Sequence, residues 1–192
     1  MRRGFKSHCE SIATAVRAEM GLLPHQRLDA RDLAAHLEIP LHPVSSLGGG
    51  ASVATAIDYV VANSAVFSAM TIFPDWPLPR RVVIFNDSNS TARQNSDVAH
   101  ELSHGLLLHE PRDAIVSGCR DYSRSEEDEA AWLSGCLLVP RAAAIAIVFA
   151  RTPMGVAAVE YGVSTQMMTY RVNTTGARRQ AQAARSRRGR QV

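Results

Sequence analysis

The chain has 192 residues, 46% of them hydrophobic, with a formal net charge of +3 and three cysteines. That is enough for a globular domain with a sizeable core, and it argues against a membrane-spanning helix, since no apolar run of about 20 residues occurs. It also excludes a disulfide framework, because Cys9, Cys119 and Cys136 are sparse and odd in number, so a reducing cytoplasm is the expected compartment. The opening MRRGFKSHCESIATAVRAEMG is a poor secretion signal, with basic residues but no apolar core behind them. Charge is unevenly spread. Residues 171–192 hold seven arginines and no acid, while residues 1–170 hold 14 basic against 18 acidic residues, a net of −4. The basic pI therefore describes the tail and gives no argument that the body binds nucleic acid.

In chain order, CESIATAVRAEM (9–20) places Ile12, Ala15, Val16 and Met20 at helical spacing, with Gly21 as its stop. A second helix is expected over 29–37, capped by Asp29 and burying Leu33, Ala34 and Leu37. IPLHPV reads as extended, because Pro40 and Pro43 forbid helix. ASVATAIDYVVA (51–62) fits helix better than strand. FSAMTIF (67–73) and RVVIF (81–85) are the strand candidates, bounded by PDWPLP and NDSNS. A long helix is expected from Ser96 to His109, before Pro111. Another should start near Ser125, with Asp128 as its capping-box acid, and run to Val139. YGVSTQMMTYRV (161–172) reads as a turn and a short helix. The tail GARRQAQAARSRRGRQV has no large apolar residue before its last position, so disorder is expected there.

The chemistry lies in SDVAHELSHGLLLHEP (96–111). On a helix, His100 and His104 share one face and can share one ion. Glu101 lies beside them and can reach a water on that ion, which is the physical content of HExxH: two imidazole ligands and a general base. A catalytic zinc needs a third protein ligand. SRSEEDEAAWLSGCLLVP supplies four acids. Glu129 is the favoured one, since it shares a face with Leu133 and Cys136, and an acid on an apolar face needs a partner. Glu126, Glu127 and Asp128 sit nearer the helix start, where the helix dipole alone suits them. His109 is about half a turn round from His100 and is not expected to join the same ion. Arg93 and Asn86 are read as hydrogen-bonding locally in a turn, and Cys136 as a buried, inert thiol.

The run NDSNSTARQNSDVAHELSHGLLLHE, followed by EEDEAAWLSGCLLVPRAA, closely resembles the ImmA/IrrE family of metallo-endopeptidases. LAAHLEIPL, FSAMTIF and YGVSTQMMTYRV extend the resemblance over roughly residues 10–176. It implies a small, mainly helical α+β zincin-like domain with a short β-sheet, spanning 1–176, ahead of a disordered basic tail at 177–192. It implies one zinc ion held by His100, His104 and Glu129, with Glu101 as the catalytic base. Glu126, one turn before Glu129, is a nearby alternative third ligand. The family's usual Asn after the Glu-Ala pair is Ala131 here, and its common Gly before the second motif histidine is Ser103. Better-known members of the family are bacterial and phage regulators that cleave, or relieve repression by, a helix-turn-helix repressor often encoded nearby. The implied partner is such a protein substrate; the competing function is a non-catalytic regulator that binds a repressor or toxin without cutting it. No membrane partner is expected, and no nucleic acid beyond weak contact through the tail. Tyr122, Tyr161 and Tyr170 are candidate oxyanion donors, and the strands at 67–73 and 81–85 could offer a sheet edge to an extended substrate.

Overall fold

The computed structural model describes residues 3–47, 67–73, 81–109 and 122–188. Its elements in chain order are α1 (Phe5–Glu19), α2 (Ala30–His36), β1 (Leu41–Pro43), a 3-10 turn (Val44–Ser46), β2 (Ala69–Ile72), β3 (Val82–Phe85), α3 (Thr91–Leu106), α4 (Arg124–Leu138), α5 (Arg141–Ala150), α6 (Met154–Tyr161), α7 (Thr165–Thr174) and α8 (Ala177–Arg188). This helix-rich α+β arrangement is the class expected from sequence. The chain divides into two compact units, one comprising Ala30–Ala131 and the other Arg2–Asp29 with Trp132–Val192. The segment 51–62, expected to be helical, lies outside the described residues.

The first unit is a small sheet with helices. Its strand order is β1-β3-β2: β1 runs parallel to β3 with Leu41 opposite Val83, and β2 runs antiparallel with Thr71 opposite Val83. Central β3 is apolar throughout (VVIF), and Val83, Ile84 and Phe85 are all buried, as suits a strand covered on both faces. Helix α3 packs on β2 and β3, and its Val98 and Leu102 are fully buried. Burial of a leucine on this scale contributes roughly 2 kcal/mol. Helix α2 leans on α3, and Asn95 of α3 accepts the Ala30 backbone N–H at 2.8 Å, capping α2 from outside. Helix α3 starts five residues earlier than Ser96. Ser90 caps it by accepting from the Arg93 N–H, and Gln94 donates back to the carbonyls of Asp87 and Asn89. The N-terminus of α4 is closed by a capping box between Ser123 and Glu126 rather than Ser125 and Asp128: Glu126 accepts from the Ser123 N–H at 2.8 Å and donates its own N–H to Ser123 Oγ at 3.3 Å.

Both helix ends of interest use one device. Gly21 after α1 and Leu108 after α3 are left-handed, at φ 69° and 55°. In each case the following amide reaches back five residues, from Leu22 to the Arg17 carbonyl and from His109 to the His104 carbonyl. This is the Schellman turn, which normally favours glycine. At α3 a leucine occupies the glycine position, so nothing in the sequence announces the stop. The helix ends at Leu106 instead of running to His109.

The second unit is all helical. Helix α1 begins at Phe5, earlier than its amphipathic stretch suggests, because Phe5 itself is buried. Two buried arginines organise the interior. Arg17 donates to the carbonyls of Ala13 and Leu137, and burial pushes its guanidinium down to about 10. Arg171 pairs with Glu10 and donates to the Val139 carbonyl at 2.9 Å. Residues 177–188, expected to be disordered, form α8, which packs against α5 and α7. Alanines, the best helix formers, supply its contact face: Ala177 and Ala181 are one turn apart and both buried. Small side chains suffice for close helix contact where large apolar ones are missing. Among the described residues no single helix is long and apolar enough to cross a membrane.

Candidate metal centre

Helix α3 projects His100 and His104 from successive turns, as their spacing requires. Their ring centroids are 4.9 Å apart and their Nε2 atoms 3.1 Å apart. The carboxylate that joins them is Glu127, in the first turn of α4. Its Oε2 lies 3.1 Å from His100 Nε2, and its Oε1 lies 3.6 Å from His104 Nε2. Among the described residues these three form the group of His, Cys, Asp and Glu side chains able to hold an ion, with donor atoms all within 4.8 Å of one another. The donor set can be tested against a metal. Bonds of about 2.0–2.1 Å to a tetrahedral zinc place its ligand atoms about 3.3 Å apart. Separations of 3.1 to 3.6 Å fit that geometry, and imidazole with carboxylate is a zinc-compatible donor set.

Glu129, favoured from sequence as the third ligand, is buried as expected, but the structure brings it to a different histidine. Its Oε2 is 3.6 Å from His109 Nε2. The burial of Glu129 is thus met by His109, and the half-exposed Glu127 stands with the imidazole pair. Glu126 is engaged in the capping box. Sequence reasoning passed over Glu127 because burial was its criterion, and Glu127 is half-exposed.

Glu101, next to His100 in the chain, is buried. Its Oε2 accepts from Thr71 Oγ1 of β2 at 2.6 Å. Tyr122, among the candidate oxyanion donors, lays its ring on His104 with centroids 3.9 Å apart and planes 20° apart. Tyr161 donates its hydroxyl to the His25 carbonyl, and Tyr170 stands edge-on to Trp132; both belong to the other unit. His109 stands behind His104, Nδ1 to Nδ1 at 3.0 Å. Helical spacing could not find it, since the left-handed Leu108 folds it back. Asp97, three residues before His100, has its carboxyl held above the usual range by burial, against the opposing pull of Arg93 at 2.9 Å and of His100. Arg93 also donates to Ser68 Oγ, and Asn86 binds the Phe67 carbonyl and accepts from the Ser88 amide and hydroxyl. The local turn bonding expected of both is seen for Asn86 with Ser88, whereas Arg93 lies on α3 and both residues also reach back to 67–68. Cys136 is fully buried beside Glu10 at 3.5 Å, and burial pushes its thiol far up, as an inert thiol requires.

The arrangement thus supplies a three-donor cation cradle with a buried carboxylate next to it in the chain. Residues 60–173, more than half of the chain, match the profile of the IrrE N-terminal-like domain of peptidase family M78. No curated protein matches the chain.

Proposed function

Because the chain belongs to the IrrE N-terminal-like domain family of M78 peptidases, a metallopeptidase family, we propose that it is a zinc-dependent endopeptidase acting on a regulatory protein. The observation that carries this reading is the convergence of His100, His104 and Glu127 within 4.8 Å, with Glu101 buried alongside. Held by these three side chains, a zinc ion would supply Lewis acidity, lowering the pKa of a water toward neutrality. Glu101 is the base that takes the proton from the attacking water and returns it to the leaving amine. Thr71 holds one Glu101 oxygen by hydrogen bond, which fixes the orientation of the carboxylate. Strand β2, which carries Thr71, is one of the two outer strands of the described sheet, and an extended substrate segment can add to such an edge.

The substrate class we propose is a separate regulatory protein, with a helix-turn-helix repressor encoded nearby as the first candidate; the family resemblance supports this choice. A buried, hydrogen-bonded Glu101 favours catalysis over mere binding, since a binding module has no use for a positioned base. The test uses the full chain with such a repressor. Glu101→Gln should bind zinc as the parent does and cut at least a hundredfold more slowly. Glu127→Ala should lose zinc, and removal of zinc by a chelator should stop cleavage. Fragments that persist at the parental rate in metal-free protein or in Glu101→Gln rule out the proposal.

A further inference from the structure

The two nitrogens of His104 face different surroundings. Nε2 joins His100 and Glu127 at 3.1 and 3.6 Å, while Nδ1 faces His109 Nδ1 at 3.0 Å. The other nitrogen of His109 meets Glu129 at 3.6 Å, an electrostatic approach longer than a hydrogen bond. The side chains of His109 and Glu129 are 8% and 10% exposed, so this row lies almost out of water.

Protons can be assigned along it. An imidazole that gives the lone pair of one nitrogen to a cation carries its hydrogen on the other. With Nε2 of His104 turned to the cation, the hydrogen sits on Nδ1 and needs an acceptor. The atom facing it is His109 Nδ1, which must then offer its lone pair and carry its own hydrogen on Nε2. That hydrogen points toward the negative charge of Glu129. A single tautomer of each ring satisfies the whole row, and Tyr122, stacked flat on His104, limits rotation of the ring without covering its edges.

We propose that His109 and Glu129 are positioning residues behind His104, selecting the tautomer and orientation that free Nε2 for a divalent cation. The proposal rests on the cation site described above. The fold explains how both residues reach this place. The Schellman turn at Leu108 returns His109 to the end of the helix that carries His104. The first turns of α4 deliver two carboxylates with separate duties, Glu127 to the front of the imidazole row and Glu129 to its back.

The experiment measures zinc affinity of the full chain by competition with a chromophoric chelator, beside the absorption spectrum of the cobalt-substituted protein. Outer partners of ligand histidines are typically worth 10–100-fold in affinity, so His109→Ala and Glu129→Gln should each weaken zinc by about that factor. The cobalt spectrum should keep its ligand number. The double variant should bind no more weakly than the weaker single variant, because the two act in series. His109→Asn, whose amide oxygen can accept from His104 Nδ1, should recover much of the loss. Parental affinity in both single variants overturns the proposal. So does an Asn variant as weak as the Ala variant, or loss of a cobalt ligand in Glu129→Gln, which would make Glu129 a ligand itself. If the parent binds no zinc, or His104→Ala binds it as tightly as the parent, the cation site falls instead.

Discussion

Thr71 Oγ1 donates to Glu101 Oε2 at 2.6 Å, a buried hydroxyl on a strand fixing a buried carboxylate on a helix thirty residues away. A hydrogen bond to a charged group is worth about 1.5–3 kcal/mol, or roughly ten- to a hundredfold in rate if it operates in the transition state. Thr71→Val keeps the shape and removes the donor. We expect cleavage to slow by at least tenfold while zinc affinity stays at the parental level. Single-turnover cleavage and chelator competition on the same preparation separate the two effects, and an unchanged rate would leave Thr71 with a packing role alone.

Leu108 holds a left-handed backbone with its side chain out in solvent. That conformation costs a non-glycine residue about 1 kcal/mol, partly offset by the extra freedom glycine has when unfolded. Leu108→Gly should therefore raise stability by up to about 1 kcal/mol without weakening zinc binding. Thermal unfolding with chelator present reads the first quantity. A fall in melting temperature would show that the leucine side chain contributes a contact of its own.

Glu10 carries much of the polar bonding in the helical unit. It accepts from Arg171 and from the Arg141 N–H at 2.9 Å. Arg171 is almost wholly buried, and its Nη1 has no hydrogen-bond partner among the described residues. Glu10→Ala strands that guanidinium without a counter-charge, at a cost of about 3 kcal/mol. The urea midpoint should drop accordingly, with a smaller drop for Glu10→Gln, which keeps one of the two acceptor oxygens. A loss below about 0.5 kcal/mol would mean water replaces the carboxylate.

Asp87 ties the exits of two parallel strands, accepting from Ser45 Oγ at 2.6 Å and from the Ser45 amide at 3.1 Å. Those bonds, the side-chain one foremost, hold its carboxyl below the ordinary 3.8. A depressed folded-state pKa contributes stability that is present above the unfolded value and lost as pH falls through the folded one. Asp87→Asn should accordingly be less stable than the parent at neutral pH, and the difference should shrink as the pH drops below 3.8. A gap that stays constant across that range would assign the effect to geometry instead of charge.

Much of this was written in local pattern. The pairing of His100 with His104 follows from helical period alone, and the strands at 69–72 and 82–85 fall within the β-branched runs expected to hold them. What escaped reading depends on contacts that local pattern cannot express. Burial singled out Glu129, but burial marks any acid with a hidden partner, and the partner here is His109. His109 was hidden because a leucine adopts a conformation that glycine usually signals. Thr71 meets Glu101 only because antiparallel β2 and helix α3 pack together. In α8, composition spoke for disorder, while two alanines one turn apart provide a contact face that no count of large apolar residues detects.

The chain reversal after α3 also sets a rule of arithmetic for variation. His104 and His109 face each other across a fixed count of residues, closed by the bond from the His109 amide to the His104 carbonyl. There is no slack in such a loop: one residue more or fewer would swing the second imidazole away. A variant chain with an insertion or deletion there would still display an intact HExxH to any motif search, yet its cation cradle would have lost its rear wall.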